Sequence, residues 1–284
     1  MILRRDVLCA LALAATGCSP LDLANGLTPS GGISRQPDIS YGPGERGRYD
    51  LYTPDGASPR APLIVFFYGG GWRSGARGDY GFAARALAST GALVAVPDYR
   101  LFPEVRWPAF VEDGAAAVRA IRAGPGRDRP VILAGHSAGA FNAMALACDP
   151  RWLGAGRDSL AGGIGLACPF DFGPADDPSG IFATAPAARA RVAPPDEAAL
   201  RGTPPLLLLH GKADTTVRPE QTTRFAALAR SHGVPVEERL YDGVSHAGII
   251  AALAAPLRAL GLEGAPVLDD VARWLPGRTS PGPA

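Results

Sequence analysis

Three side chains in this 284-residue sequence have the types and the order needed to turn a hydroxyl into a nucleophile. Ser137 lies in Gly135-His136-Ser137-Ala138-Gly139, straight after the apolar run 130–134 and ahead of a stretch of small residues. Flanking glycines let a chain make a sharp strand-to-helix turn with the hydroxyl exposed at its tip. The competing use of such a serine is to cap the helix that follows. A hydroxyl is a poor nucleophile until a base takes its proton. The chain has four histidines. His136 adjoins the serine and would point away from the hydroxyl at such a turn. His210 closes an apolar run and His232 ends a polar helix face. His246, in Asp-Gly-Val-Ser-His-Ala-Gly, follows the last strand candidate and is the expected base. The acid should come between serine and base, after a strand. Asp214 stands four residues beyond the strand end at His210; Asp171, Asp176 and Asp177 fall in a less regular stretch, and Asp242 is too near His246. A carboxylate at Asp214 would orient the imidazole and stabilise its protonated form.

Acyl transfer also develops an oxyanion, which requires preorganised donors. One should be the N–H of Ala138, next after the serine. The other should come from Tyr68-Gly69-Gly70-Gly71-Trp72, where three glycines let the backbone approach a substrate. Gly70 and Gly71 are the residues expected to supply it. A plain flexible turn is the alternative use of those glycines.

Elements able to hold these residues are legible in the hydrophobic pattern. Strands are expected at 48–53, 62–68, 92–96, 130–134, 163–167, 205–210 and 236–241. Helices are expected at 80–89, 108–122, 138–147, 219–231, 247–259 and 266–275. Four of the strand runs are almost wholly apolar, as in a mainly parallel sheet covered on both faces. Strand and helix alternate, which predicts a doubly wound α/β architecture. In such sheets ligands bind beyond the carboxyl ends of the strands, where Ser137 and the glycine loop both fall. Residues 173–203, rich in Pro, Ala and Asp, read as an irregular insertion over the sheet.

Apolar residues make up 47% of the chain, enough for a packed core, and the net charge of +1 lacks the basic patch a nucleic-acid partner requires. Cys148 and Cys168 are expected to be free buried thiols, and the cysteine spacing suggests no metal site. The first residues read as a targeting segment over 1–17. Arg4-Arg5 precedes the apolar stretch 7–15, too short to span a bilayer. "RRDVL" resembles a twin-arginine signal, although Leu3 and Val7 depart from its usual flanks. "ATGC" at 15–18 resembles a lipobox, which would put a lipid on Cys18 and make that anchor the chain's membrane contact; an ordinary secretory signal is the alternative. Residues 18–37, rich in Ser, Pro and Gly, are expected to form a tether.

Taken together, "YGGGW" at 68–72, "PDYRLFPEVRWPAFVED" at 97–113, "GHSAG", "HGKADTTVRPEQ" at 210–221 and "DGVSHAG" at 242–248 resemble the α/β-hydrolases of the esterase/lipase group. Hormone-sensitive-lipase-like and feruloyl-esterase-like carboxylesterases belong to it. The resemblance spans about residues 38–275 of a domain placed at 38–278. It implies an α/β-hydrolase fold and a triad of Ser137, Asp214 and His246. It places the oxyanion donors at Gly70, Gly71 and Ala138. It also implies cleavage of small carboxylic esters through an acyl-enzyme, with no cofactor and no metal. Tyr68 departs from the family, which usually has histidine there. Arylformamidase or peptide hydrolysis on the same triad is an alternative. An inactive binding protein on the same scaffold is another, though it would have no need of all three triad residues. Trp72, Tyr99, Phe170 and Phe172 could line the substrate pocket or simply pack. Glu104, Glu112 and Asp113 are expected to brace the region 97–113.

Overall fold

Four strands carry the apolar runs and are buried along their whole length: β3 (Leu63–Phe67), β4 (Leu93–Pro97), β5 (Val131–His136) and β9 (Leu206–Gly211). Burial without alternation means that both faces of the sheet are covered. The computed structural model describes residues 20–172, 177, 180–183, 190–192 and 196–275. Among these, eight strands form one sheet in the order β1-β2-β4-β3-β5-β6-β9-β10. The outer members are β1 (Ile33–Ser40), β2 (Arg48–Pro54), β6 (Leu160–Leu166) and β10 (Val236–Tyr241). β2 pairs antiparallel with both neighbours, β1 and β4, and every other pairing in this sheet is parallel, while β7 (Asp171–Phe172) and β8 (Ala190–Arg191) form a separate antiparallel pair.

Crossover helices follow the expected places: α2 (Gly81–Ala88) leads into β4, α3 (Ala109–Ala123) into β5, and α4 (Ala138–Cys148) leaves the serine turn, with the one-turn α5 (Pro150–Leu153) after it. The chain runs from β3 to β4 on one side and then returns to place β5 on the other side of β3. The loops after β3 and β5 therefore diverge at a topological switch point, where open α/β sheets bind ligands.

Two expectations are corrected. Residues 20–37, expected to belong to a tether, are instead largely ordered, with a helix at 20–27 and a strand at 33–40. α1 (Pro20–Leu27) fixes itself through Asn25, whose side-chain amide donates to the Asp79 carbonyl at 2.9 Å and accepts from the Phe82 N–H at 2.7 Å. β1 is an edge strand with a register shift between Gln36 and Ile39, and Asp38 takes φ 60° there. It is held by charge: buried Asp50 accepts from the Asp38 N–H at 3.0 Å and from Arg35 at 2.7 Å. Arg77 then links Asp50, Asp38 and buried Asp98, so β1 and β2 are tied to the segment that follows the glycine loop. Secondly, 247–259 is two short helices, α7 (His246–Ala251) and α8 (Ala255–Ala259), because Ala254 is extended and Pro256 opens the second.

The segment 97–113 is braced as expected by Asp113, which accepts from the Arg100 side chain at 2.7 Å and from its N–H at 2.9 Å. Cys148 and Cys168 are free and buried; burial pushes the Cys148 thiol up to about 12. Residues 1–17, read from the sequence as a signal, Cys18 and residues 276–278 lie outside the described residues.

Candidate active site

The turn after β5 is set by two close backbone approaches. A Cβ on residue 139 would stand 2.2 Å from the carbonyl oxygens of Phe67 and Tyr68, and one on residue 135 would stand 2.4 Å from the Gly139 carbonyl oxygen. Only glycine fits at either place. Between them Ser137 is held at φ 54°, ψ −123°, a sparsely populated region costing about 1–3 kcal/mol for a residue with a side chain. Its N–H donates to the Leu166 carbonyl at 2.9 Å, which pins the turn to β6. The Ser137 side chain makes no cap bond to α4, so the capping use is excluded.

The three side chains predicted from sequence meet here. His246 Nε2 lies 2.8 Å from Ser137 Oγ, and His246 Nδ1 lies 2.7 Å from Asp214 Oδ2. A proton on Nδ1 is fixed by the carboxylate, which leaves Nε2 free to accept the serine proton. Burial pushes the Asp214 carboxyl up. The Val217 N–H, His246 and the Thr216 N–H outweigh it and hold the acid below its ordinary value. Asp214 therefore stays ionised while the imidazole works.

Two histidines set aside in the sequence belong to the same cluster. His136 turns away from the serine, and its Nε2 donates to the main-chain carbonyl of His246 at 3.1 Å. His210 is fully buried, with Nε2 3.1 Å from Asp214 Oδ2 and 3.0 Å from the Val217 carbonyl. The signal that could have found His210 is its place: a lone imidazole closing a run of four leucines, where packing alone would be served by a fifth. Burial drives the His136 pKa down to about 3, and the neighbouring His246 adds to that; burial also lowers His210.

Gly71 and Ala138 line a cavity of about 790 Å³ together with Ser137. No acceptor among the described residues takes the N–H of either, so both donors are available to an oxyanion. Gly70 does not line that cavity. It takes φ 126°, a Cβ there would stand 2.1 Å from the Ser74 carbonyl oxygen, and its own carbonyl accepts the N–H groups of Arg73 and Ser74. Its carbonyl thereby shapes the loop, and its own N–H, like that of Gly71, meets no acceptor among the described residues. Tyr68, where the family usually has histidine, is buried beneath the loop and stacks on Tyr99 at 4.7 Å.

Of the aromatic pocket candidates, Trp72 both packs and lines the cavity. Its indole N–H donates to buried Asn142 at 3.1 Å, and its ring meets Phe110, Phe141 and Phe182. Phe170 is instead a core residue, stacked on Phe225 at 4.2 Å, and Tyr99 is fully buried with its hydroxyl on the Tyr68 carbonyl. The side chain of Phe172 lies outside the described residues. The far wall, missed in the sequence, comes from 215–224 and is mainly polar, with Thr215, Thr216, Arg218 and Arg224. Among the described residues no group of three His, Cys, Asp or Glu is placed to hold a metal ion.

The geometry is that of a serine nucleophile with its base, acid and donors at a sheet switch point. A family model described as the alpha/beta hydrolase fold matches residues 64–180. The chain has the α/β-hydrolase fold. A second model, the prolyl oligopeptidase family, matches residues 180–255, the part that carries Asp214 and His246. The chain resembles kynurenine formamidase of Danio rerio, 33% identical over 39% of this chain and 39% of that protein. It also resembles esterase LipC of Mycobacterium tuberculosis, 31% identical over 60% of this chain and 49% of the other. The match spans less than half the length of either relative. Among solved structures, a hormone-sensitive lipase from a metagenome library superposes with a TM-score of 0.68 at 22% identity, over 95% of this chain and 97% of that one.

The buried imidazoles make stability depend on acid. Above pH ~6.5 both histidines are neutral whether the chain is folded or not, so neither contributes a pH slope. Below it the unfolded chain takes up protons that folded His136 refuses until about pH 3. Stability should therefore fall steadily from pH 6.5 towards 4, and His136→Gln should flatten that slope in a thermal-melt series. A wild-type melting temperature level across this range would contradict it.

Proposed function

We propose that this α/β-hydrolase cleaves small carboxylic esters through an acyl-enzyme on Ser137. The observation that carries the reading is the unbroken relay Asp214–His246–Ser137, with bonds of 2.7 and 2.8 Å, opening into a cavity beside two unused backbone donors. His246 takes the Ser137 proton as Oγ attacks the carbonyl carbon. Gly71 and Ala138 stabilise the oxyanion, and the imidazolium returns its proton to the leaving alkoxide. Water, activated by the same histidine, then releases the acid. Ser137→Ala should keep the fold and lose nearly all turnover of a p-nitrophenyl ester. Asp214→Asn should cost roughly 10⁴-fold in kcat, as in the trypsin triad. Near-normal hydrolysis by Ser137→Ala would place the reaction elsewhere.

The size of the acyl group follows from what surrounds Trp72. The described part of the insertion is pinned rather than poised to swing: Phe182 packs on Trp72 at 4.9 Å, and the Trp107 N–H donates to the Ile181 carbonyl at 2.9 Å. A fixed aromatic wall on one side and a polar wall on the other suit short acyl chains. In a C2 to C16 p-nitrophenyl ester series, kcat/KM should peak at the short end, with no jump at the solubility limit. A maximum at C10 or beyond would indicate a true lipase. An N-formyl arylamide in the same panel covers the formamidase alternative, which the Danio rerio relative favours.

We also propose that the protein is exported and anchored at the cell envelope by lipid on Cys18. The support is Arg4-Arg5, the apolar stretch 7–15 and the lipobox-like "ATGC". Ser19, where an aspartate would favour retention at the inner membrane, points to the outer membrane. Cys18→Ala should move the protein from membrane fractions to the soluble pool; identical soluble fractionation of both would end the anchor reading.

A further inference from the structure

Asp214 accepts four N–H groups. Oδ1 takes the backbone N–H of Thr216 at 2.8 Å and of Val217 at 2.9 Å, and Oδ2 takes His246 Nδ1 at 2.7 Å and His210 Nε2 at 3.1 Å. Two backbone donors and His246 would satisfy an ordinary triad acid. The fourth donor is a second imidazole, fully buried at the end of β9.

We propose that His210 is a positioning residue for the triad: its Nε2–H holds Asp214 Oδ2 and so sets the basicity of His246. The inference deepens the acyl-transfer reading of Ser137 and rests on it.

The tautomer follows from the partners. Nε2 faces two acceptors, Asp214 Oδ2 and the Val217 carbonyl, so it must carry the proton. Nδ1 lies 2.7 Å from Thr222 Oγ1 in α6 (Pro219–Ser231), and the hydroxyl donates to it. Thr222 thus locks the ring in the one form that can donate to the acid. Burial keeps that ring neutral, so it contributes a hydrogen bond and not a second positive charge beside His246.

A carboxylate that shares its charge among four donors is a weaker acceptor for each of them. Removing His210 leaves more of that charge to His246, which stabilises the imidazolium and raises the pKa of the base. The acid limb of kcat/KM should then move to higher pH. The titratable groups facing His246 are Asp214 from the loop after β9, His210 from the end of β9 and His136 from the end of β5. Only His210 changes in the test.

The experiment is the pH profile of kcat/KM for p-nitrophenyl acetate with wild type, His210→Leu, His210→Gln and Thr222→Val. His210→Leu should lower kcat about 10-fold with KM little changed, and raise the acid-limb pKa by roughly half a unit to one unit. His210→Gln, whose amide can still donate to Asp214, should bring both values back towards wild type. Thr222→Val should shift the limb the same way but less, and it keeps the test open if His210→Leu does not fold. Loss of kcat with the limb unmoved, or no rescue by glutamine, would mean that His210 merely fills space and would overturn the proposal. Fluorophosphonate labelling of wild type tests the reading beneath: failure to label Ser137 overturns both, whereas labelling with an unmoved limb overturns this proposal alone.

Discussion

The start of α4 rests against the end of β3 with no room for a side chain, since a Cβ on residue 139 would lie 2.2 Å from two carbonyl oxygens. Much of the site depends on that contact. It forces the turn before α4 to be tight, which holds Ser137 at a positive φ and lifts its hydroxyl clear of the helix. It also brings Ser137 beside the glycine loop, because the carbonyls touched belong to Phe67 and Tyr68, the residues that lead into that loop. Nucleophile and oxyanion donor are thus placed by one backbone contact between the start of α4 and the end of β3. The strain at Ser137 is borne by a core whose central strands are buried throughout.

The base and acid need a different kind of support, because they arrive on loops. His246 opens α7, and its main-chain carbonyl is held by His136, the residue next to the nucleophile. Asp214 is held by its own loop and by β9 through His210. Each loop is thereby tied back to a strand end by a buried neutral imidazole. Neutrality matters, since a buried positive charge so near His246 would oppose formation of the imidazolium.

Most of this frame was legible before any coordinates. Long apolar runs announce central strands, and glycines at fixed offsets announce the turns, because both follow from local sterics and burial. Ser137, Asp214 and His246 could be named because chain order and strand ends constrain them. What escaped has a common cause. β1 is largely solvent-exposed and contains Pro37, so it carries no hydrophobic alternation; its hold is ionic, through Asp50, Arg35 and Arg77, residues far apart in sequence. His210 reads as the end of an apolar strand because its partners Asp214, Val217 and Thr222, though within twelve positions, are brought back to it by a turn that leaves no mark in the hydrophobic pattern. Phe170 has the composition of a pocket residue and the surroundings of a core one, a difference decided by Phe225, 55 positions away.

The walls of the cavity divide the labour unevenly. Trp72 is locked by Asn142 and three phenylalanines, so the wall beside the oxyanion donors is part of the hydrophobic core. The opposite wall is the segment 215–224, whose first residues also fix the acid: the N–H groups of Thr216 and Val217 bind Asp214, while both residues face the cavity. A change of specificity on that wall is therefore coupled to the acid. A substitution at 216 or 217 that moves the backbone by a few tenths of an ångström lengthens two of the bonds that keep Asp214 ionised. Arg218 and Arg224 stand further along, are exposed, and make no bond to the triad. The cavity wall can vary at these two positions without cost to the relay, whereas 216 and 217 must shape the wall and hold the acid together.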